Sequence, residues 1–185
     1  DALPILVHWP EVMVAYEQTE KILFSADAFG TFGALNGNIF NDQVDFEGYY
    51  LSEARRYYTN IVGKYGAQVQ IALKKLSGLD IKIIAPLHGP IWRANLDYLL
   101  DKYNKWSSYT PEKQGVVIVY GSMYGNTENA ANCIANKLAQ QGVTDIKVYD
   151  VSKTHPSYII ADAWKYSNLV IASPTYNGGL YLVMD

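Results

Sequence analysis

Residues 116–127 form the stretch that most restricts how this chain can fold. Four consecutive branched aliphatic residues, 116–119, predict a strand that is buried on both faces, as in a parallel sheet covered by helices. A turn of small and hydroxyl-bearing residues follows at 121–127, and apolar residues then recur at helical spacing until Gly142. The pattern therefore predicts an α/β fold.

The turn at 121–127 is a candidate phosphate-binding loop. Free backbone N–H groups at the start of a helix and the helix dipole both favour an anion there. Asn126 follows Gly125 where a nucleoside triphosphatase loop needs lysine, and Gly121 and Gly125 lack the third glycine of a dinucleotide fingerprint. The loop suits a monophosphate ester held by neutral donors, and an ordinary turn between strand and helix is the alternative.

A second apolar run at 169–173 predicts another buried strand, and residues 173–179 form the loop after it. In a doubly wound sheet, ligands bind beyond the carboxyl ends of the strands. We therefore expect this loop and the loop at 121–127 to converge on one crevice.

Both loops resemble those of the flavodoxin family. Ser122-Met123-Tyr124-Gly125-Asn126-Thr127 is similar to its FMN phosphate loop, and Pro174-Thr175-Tyr176-Asn177-Gly178-Gly179 is similar to a segment that lines the flavin ring in flavodiiron proteins. The resemblance implies that these twelve residues bind FMN.

Composition excludes several classes of protein. The net charge of −3 and the pI near 5.6 give no basic footprint for nucleic acid. No apolar run approaches the roughly 20 residues of a membrane span, and no leader pattern is present. The single cysteine, Cys133, excludes an internal disulfide. We expect a cytoplasmic protein without membrane or nucleic-acid partners.

The first half of the chain mixes short strands and helices. Apolar runs predict strands at 3–7, 12–16, 21–25 and 81–85, with a hairpin turn at 17–20. Helical spacing predicts helices over 52–76, weakened at Gly63 and Gly66, and over 95–106. Residues 34–48 read as an irregular excursion. We predict one domain at 1–106, a linker at 107–115 and a second domain at 116–185.

Asp27 and His88 each follow a predicted strand, where a loop presents a side chain to a cleft. Carboxylate and imidazole are ligands of non-haem iron or zinc. A cap on a turn is the alternative role for an aspartate in this position.

Three segments of the first half resemble the flavodiiron proteins, which reduce oxygen or nitric oxide. They are residues 8–11, 24–30 and 86–90, and they resemble the later half of a metallo-β-lactamase-like domain that a flavodoxin domain follows directly. The resemblance implies that Asp27 bridges two irons and that His88 ligates one of them. It places His8 near the metals, close to the reaction, without making it a constant ligand.

Two departures from that family are visible. Its main ligand cluster, a His-x-Glu-x-Asp-His motif, has no counterpart, and the flavodoxin-like half ends after its third strand. The sequence therefore predicts a central fragment. Its α/β fold combines the C-terminal part of a metallo-β-lactamase-like αββα domain with a partial flavodoxin-like doubly wound parallel sheet.

The resemblance also implies a function for the parent protein. FMN takes electrons from a small redox protein, rubredoxin-like or a reductase, and passes them to two non-haem irons that reduce O2 to water or NO to N2O. It implies a head-to-tail homodimer. Two alternatives stay open: an FMN-binding electron-transfer module without a working metal site, and a hydrolase of the metallo-β-lactamase superfamily.

Overall fold

A four-stranded sheet forms one layer of the first of the two units of this chain. The structure is a computed structural model, and it describes residues 2–4, 7 and 12–184. The units are Asp1–Thr110 and Pro111–Asp185, so the boundary lies within the predicted linker. The strands are β1 (Ala2–Pro4), β2 (Met13–Glu17), β3 (Ile22–Phe24) and β4 (Ile83–Ala85). Neighbours pair in chain order, antiparallel except for β3 and β4, which are parallel. The predicted hairpin joins β2 to β3, and the Glu17 carboxylate accepts hydrogen bonds from Thr19 and Glu20 N–H in its turn.

Three helices accompany this sheet: α1 (Leu51–Ile61), α2 (Gly66–Leu76) and α3 (Leu96–Ser107). Aromatic side chains join α1 to α3, because the Tyr58 ring lies 5.2 Å from that of Tyr103 and 5.4 Å from that of Trp106. Leu23 of β3 and Ile84 of β4 are fully buried. The core of this unit therefore holds both the aromatic contacts between helices and the inner face of the sheet.

The helix predicted over 52–76 is divided in two, at the glycines that weaken the pattern. A 3-10 turn, Gly63–Tyr65, separates α1 from α2. A Cβ atom on Gly66 would lie 2.4 Å from the Ser107 carbonyl oxygen, so glycine is needed where α3 ends against α2. The Tyr109 hydroxyl donates to Gly63 O at 3.0 Å and accepts from Gly66 N–H at 3.4 Å, which fixes the break.

The irregular excursion predicted over 34–48 contains two short helical turns. They are a 3-10 turn, Asn41–Gln43, and a π-helix, Phe46–Tyr50. The Asn41 amide oxygen accepts from Arg93 and Ala94 N–H at 3.0 and 3.3 Å, and this ties the excursion to the segment after β4.

A three-stranded parallel sheet organises the second unit. Its elements are β5 (Lys113–Tyr120), α4 (Asn126–Gln140), β6 (Ile146–Asp150), α5 (Pro156–Lys165) and β7 (Tyr166–Ala172), with the strands in the order β6-β5-β7. Ile118 packs in one core cluster with Ala131 of α4, and Val117 packs in another with Ile159 of α5. Helices thus cover both faces of β5. This confirms the doubly wound parallel sheet and the strand buried on both faces.

Strand β5 begins at Lys113, inside the predicted linker. Its pairing with β7 is irregular between Lys113 and Val116. A Cβ atom on Gly115 would lie 2.4 Å from the Tyr166 ring, so this glycine permits the close approach of β7. Because the residues just before Val116 are not apolar, the apolar pattern did not predict that the strand begins at Lys113.

The prediction that residues 169–173 form a buried strand is wrong for two side chains. Leu169 and Ile171 are 49% and 64% exposed. They share the sheet face of their partners Val117 and Val119. Helix α5 connects β6 to β7 across β5, and it covers the central strand while the same face of β7 stays open.

Among the described residues no helix is long and apolar enough to cross a membrane.

The different burial of two isoleucines on paired strands gives the first prediction. Ile118→Ala removes a fully buried side chain and should lower the free energy of unfolding by about 2–5 kcal/mol. Ile171→Ala on the adjacent strand is the matched control and should change it by no more than about 0.5 kcal/mol. Urea unfolding of both variants checks this. Equal losses would mean that another surface covers Ile171.

Candidate metal and phosphate sites

Two loops of the first unit are interlocked through their backbones. One follows β3 and carries Asp27, and the other follows β4 and carries His88. Ser25 N–H donates to Ala85 O at 3.2 Å, and Leu87 N–H donates to Ala26 O at 2.8 Å. Farther along, Thr31 N–H donates to His88 O at 3.3 Å. The parallel pairing of β3 and β4 therefore continues into the loops and brings them side by side.

The Asp27 and His88 side chains meet at this interlock. Asp27 Oδ1 lies 3.2 Å from His88 Nε2, and the side chains are 30% and 54% exposed. Both line an open cleft together with Thr31, Phe32 and Tyr57. A carboxylate oxygen and an imidazole nitrogen thus face the same cleft, and both atom types are ligands of non-haem iron.

Two glycines make the interlock possible. A Cβ atom on Gly30 would lie 3.1 Å from Asp27 O and 3.3 Å from His88 O. Gly89 has a φ of +83°, and a Cβ atom there would lie 2.1 Å from the Thr31 methyl group. A side chain at position 89 would collide with Thr31, and one at position 30 would require the neighbouring carbonyl groups to shift by a few tenths of an ångström.

The Asp27 loop contains two strained residues that the helical layer supports. Ala26 and Phe29 have φ values of 51° and 67°, in the left-handed region that non-glycine residues seldom adopt. Phe29 N–H donates a buried hydrogen bond of 2.7 Å to the hydroxyl oxygen of Tyr103, and the two rings lie 4.5 Å apart. The Ser25 hydroxyl donates to Ala28 O at 2.7 Å. These contacts hold the backbone on both sides of Asp27.

Tyr57 lies within the helix predicted over 52–76 and lines this cleft, which the sequence did not indicate. Its ring lies 5.8 Å from that of His88. Burial, and secondly the negative charge of Asp27, raises the pKa of Tyr57 to about 12. The phenol therefore stays protonated at neutral pH and keeps a hydrogen-bond donor beside the carboxylate. The spacing of the helix shows that Tyr57 faces inward, and only the fold brings it to Asp27.

His8 lies outside the described residues. Within the part of the chain that the structure describes, no three or more His, Cys, Asp or Glu side chains are grouped so that they can hold a metal ion. Asp27 and His88 are thus a pair of candidate ligand side chains that the described part of the chain brings together.

The second prediction tests the support of the Asp27 loop. Tyr103→Phe removes the acceptor of the Phe29 N–H, and a buried donor left unpaired costs about 1–3 kcal/mol. We expect a loss of that size in urea unfolding, together with faster amide hydrogen exchange at Phe29.

Tyr98→Phe on the same helix is the control. It removes an exposed hydrogen bond to Glu47 and should cost no more than about 0.5 kcal/mol. Equal effects of the two substitutions would contradict a special role for Tyr103.

The candidate phosphate loop lies between β5 and α4. Gly125 precedes the helix with a φ of +83°, and its N–H donates to the Ser122 hydroxyl oxygen at 3.0 Å. The first hydrogen bond of α4 joins Asn129 N–H to Gly125 O at 2.9 Å. The N–H groups of Asn126, Thr127 and Glu128 accordingly have no acceptor within the helix, as at any helix N-terminus. This geometry presents several donors to an anion.

The second predicted flavin loop folds as a small hairpin. Its strands are β8 (Thr175–Tyr176) and β9 (Gly179–Leu180). Asn177 and Gly178 between them have φ values of 46° and 80°, as a two-residue type I′ turn requires. The Asn-Gly pair is a hairpin signal that the sequence analysis did not use.

The hairpin lies at the same edge of the sheet as the phosphate loop. It follows β7, the parallel neighbour of β5. A Cβ atom on Gly121, where the phosphate loop begins, would lie 2.9 Å from Met184 and 3.1 Å from Tyr181, which follow the hairpin. The start of the phosphate loop therefore lies beside the segment that follows the hairpin within the second unit.

Known proteins resemble this chain across both of its units. The family model for flavodoxin matches residues 118–181. An anaerobic nitric oxide reductase flavorubredoxin of Vibrio vulnificus is 32% identical over 180 residues, covering 93% of this chain and 35% of the relative. Rubredoxin oxygen:oxidoreductase of Desulfovibrio gigas superposes with a TM-score of 0.88 at 31% identity, over 96% of this chain and 44% of that one. The flavodiiron protein of Giardia intestinalis superposes with a TM-score of 0.91 at 27% identity, over 99% of this chain and 44% of that one.

The fold thus combines part of a metallo-β-lactamase-like domain with part of a flavodoxin-like domain. The chain belongs to the flavodiiron protein family. It spans less than half the length of the curated relatives it matches, for example 35% of the Vibrio vulnificus flavorubredoxin.

Proposed function

We propose that this chain is part of a flavodiiron oxidoreductase, which passes electrons from FMN to a non-haem diiron centre and reduces O2 to water or NO to N2O. The observation that carries the proposal is the approach of Asp27 to His88 on two interlocked loops, in a unit that a flavodoxin-like phosphate loop follows. The names of the similar proteins, a nitric oxide reductase and a rubredoxin:oxygen oxidoreductase, support the two substrates.

The phosphate of FMN fits the loop at 122–127. The backbone N–H groups at the start of α4 and the side chains of Ser122, Asn126 and Thr127 are neutral donors that can surround an anion. Residues 121–129 contain no lysine or arginine, so the helix dipole and these donors provide the attraction. We assign the flavin ring to residues 174–179. Bound flavin supplies the ability to take up and release electrons one at a time.

Asp27 and His88 would hold iron at the first unit, and the remaining ligands would come from outside the described residues. Asp27 would bridge the metals with its carboxylate, and His88 would ligate one of them with its imidazole. Bound iron supplies open coordination positions for a small gas molecule. The protonated Tyr57 hydroxyl provides a hydrogen-bond donor at the cleft. We keep His8 as a residue near the metals.

The electron donor that we propose is a small redox protein, either rubredoxin-like or a reductase. The name of the Desulfovibrio gigas protein supports the first choice. We also propose a head-to-tail homodimer, located in the cytoplasm, in which the flavin of one subunit serves the metals of the other.

A second candidate is an FMN-binding electron-transfer module without a working metal site. The phosphate loop offers several hydrogen-bond donors at one helix end, whereas the candidate metal site among the described residues is one pair of side chains. This difference favours the second candidate. The iron content of a longer polypeptide separates the two candidates.

The third prediction concerns the phosphate loop. Thr127→Val removes one hydroxyl from a charged acceptor, which costs ~1.5–3 kcal/mol and weakens FMN affinity roughly ten- to a hundredfold. Titration with quenching of flavin fluorescence measures this even where binding is weak. Thr144→Val, an exposed position after α4, is the control and should leave affinity unchanged. An FMN affinity that is unaffected by Thr127→Val would contradict the assignment of the phosphate loop.

The fourth prediction concerns the metal. We expect two irons per chain in a longer polypeptide, in which a segment with the family's other ligands precedes this chain. Asp27→Asn should abolish that content because it removes the bridging carboxylate charge. Asp97→Asn, on the exposed first turn of α3, is the control and should keep both irons. Elemental analysis of the three proteins decides, and full iron content in Asp27→Asn would overturn the assignment.

A further inference from the structure

A cavity of about 60 Å³ lies in the first unit, between the sheet and the three helices. Among the described residues its wall is mainly aliphatic. Val14 contributes from the sheet, Ile61 and Val62 from the end of α1 and its cap, and Val69, Ala72 and Leu76 from α2. A water-sized molecule needs roughly 10–15 Å³ of such space, so the cavity has room for a diatomic molecule.

Four polar residues line the cavity, namely Ser25, Asp27, Tyr57 and Tyr103, but polar atoms contribute almost none of its surface. The Ser25 hydroxyl also donates to Ala28 O, and the Tyr103 hydroxyl oxygen accepts from Phe29 N–H. A buried water needs two to four polar partners, whereas cavities lined by aliphatic side chains stay dry and take up apolar molecules. The cavity is therefore suited to a small apolar ligand.

The cavity adjoins the Asp27–His88 cleft. Asp27, Tyr57 and Ile61 line both spaces, so these three residues form a common wall. A molecule in the cavity would therefore lie close to the cleft.

We propose that this cavity is a binding site for small apolar gas molecules, the chemical class of O2 and NO. Such molecules leave water readily because they interact weakly with it, and in the cavity they gain dispersion contacts that its lining otherwise lacks. The position beside Asp27 would hold a local store of gas next to the proposed metal corner. This use of the gas rests on the proposed function, whereas binding to the cavity does not.

Xenon tests the site because it is an apolar probe of similar size. In methyl NMR spectra of the chain under increasing xenon pressure, the signals of Val69 and Ile61 should shift and saturate. Ala72→Leu fills the cavity from α2 and should abolish the saturable shift. The matched control is Ala67→Leu on the same helix, where the residue is exposed, and it should leave the shift intact.

Val69→Ala provides a second variant that cannot overpack the core. It enlarges the cavity and should strengthen xenon binding, so it decides the question if circular dichroism shows that Ala72→Leu does not fold. The proposal is overturned if the wild-type shifts do not saturate, if Ala72→Leu and Ala67→Leu behave alike, or if Val69→Ala leaves xenon affinity unchanged. Xenon binding needs neither iron nor flavin, so loss of the metal assignment would leave this result standing, and the reverse also holds.

Discussion

The backbone interlock between the loops after β3 and β4 is the constraint on which the first unit depends. One hydrogen bond from the first loop to the end of β4 and two between the loops extend the parallel pairing beyond the strands, and the glycines at 30 and 89 allow the close approach. Asp27 and His88 therefore meet because main-chain atoms place them, before any metal is considered. The strained backbone at Ala26 and Phe29 is tolerated because the buried Tyr103 hydroxyl supports it. Such strain typically persists where the surrounding structure holds it in place and a function uses it.

The second unit uses the same geometry with different chemistry. Parallel neighbours β5 and β7 send both of their following segments to one edge of the sheet. At the corresponding edge of its own sheet, the first unit presents a carboxylate and an imidazole side chain, which suit a metal. The second presents main-chain N–H groups at the end of a fifteen-residue helix, which suit an anion. One arrangement of parallel strands thus accounts for two candidate sites with opposite preferences for charge.

Helix packing explains the remaining features of the first unit. A 3-10 turn separates helices α1 and α2, and the end of α3 approaches Gly66 there too closely for any side chain. Residues on both sides of this break, Ile61 and Val69, line the cavity. The same helical layer supplies Tyr57 to the cleft and Tyr103 to the Asp27 loop. The layer therefore shapes the site as well as burying the sheet.

The sequence by itself determined the doubly wound α/β character, the hairpin of the first unit, the break near Gly63 and the segments that face the two sites. These follow from local periodicity and turn chemistry, which neighbouring residues encode. Only the tertiary structure decided that Tyr57 lies beside Asp27, that Tyr103 supports Phe29, and that Leu169 and Ile171 are exposed. Each of those facts depends on which element covers which, and an apolar run has the same appearance in a central strand as at an edge. The separation of about thirty to seventy residues between such partners leaves no periodic trace in the chain.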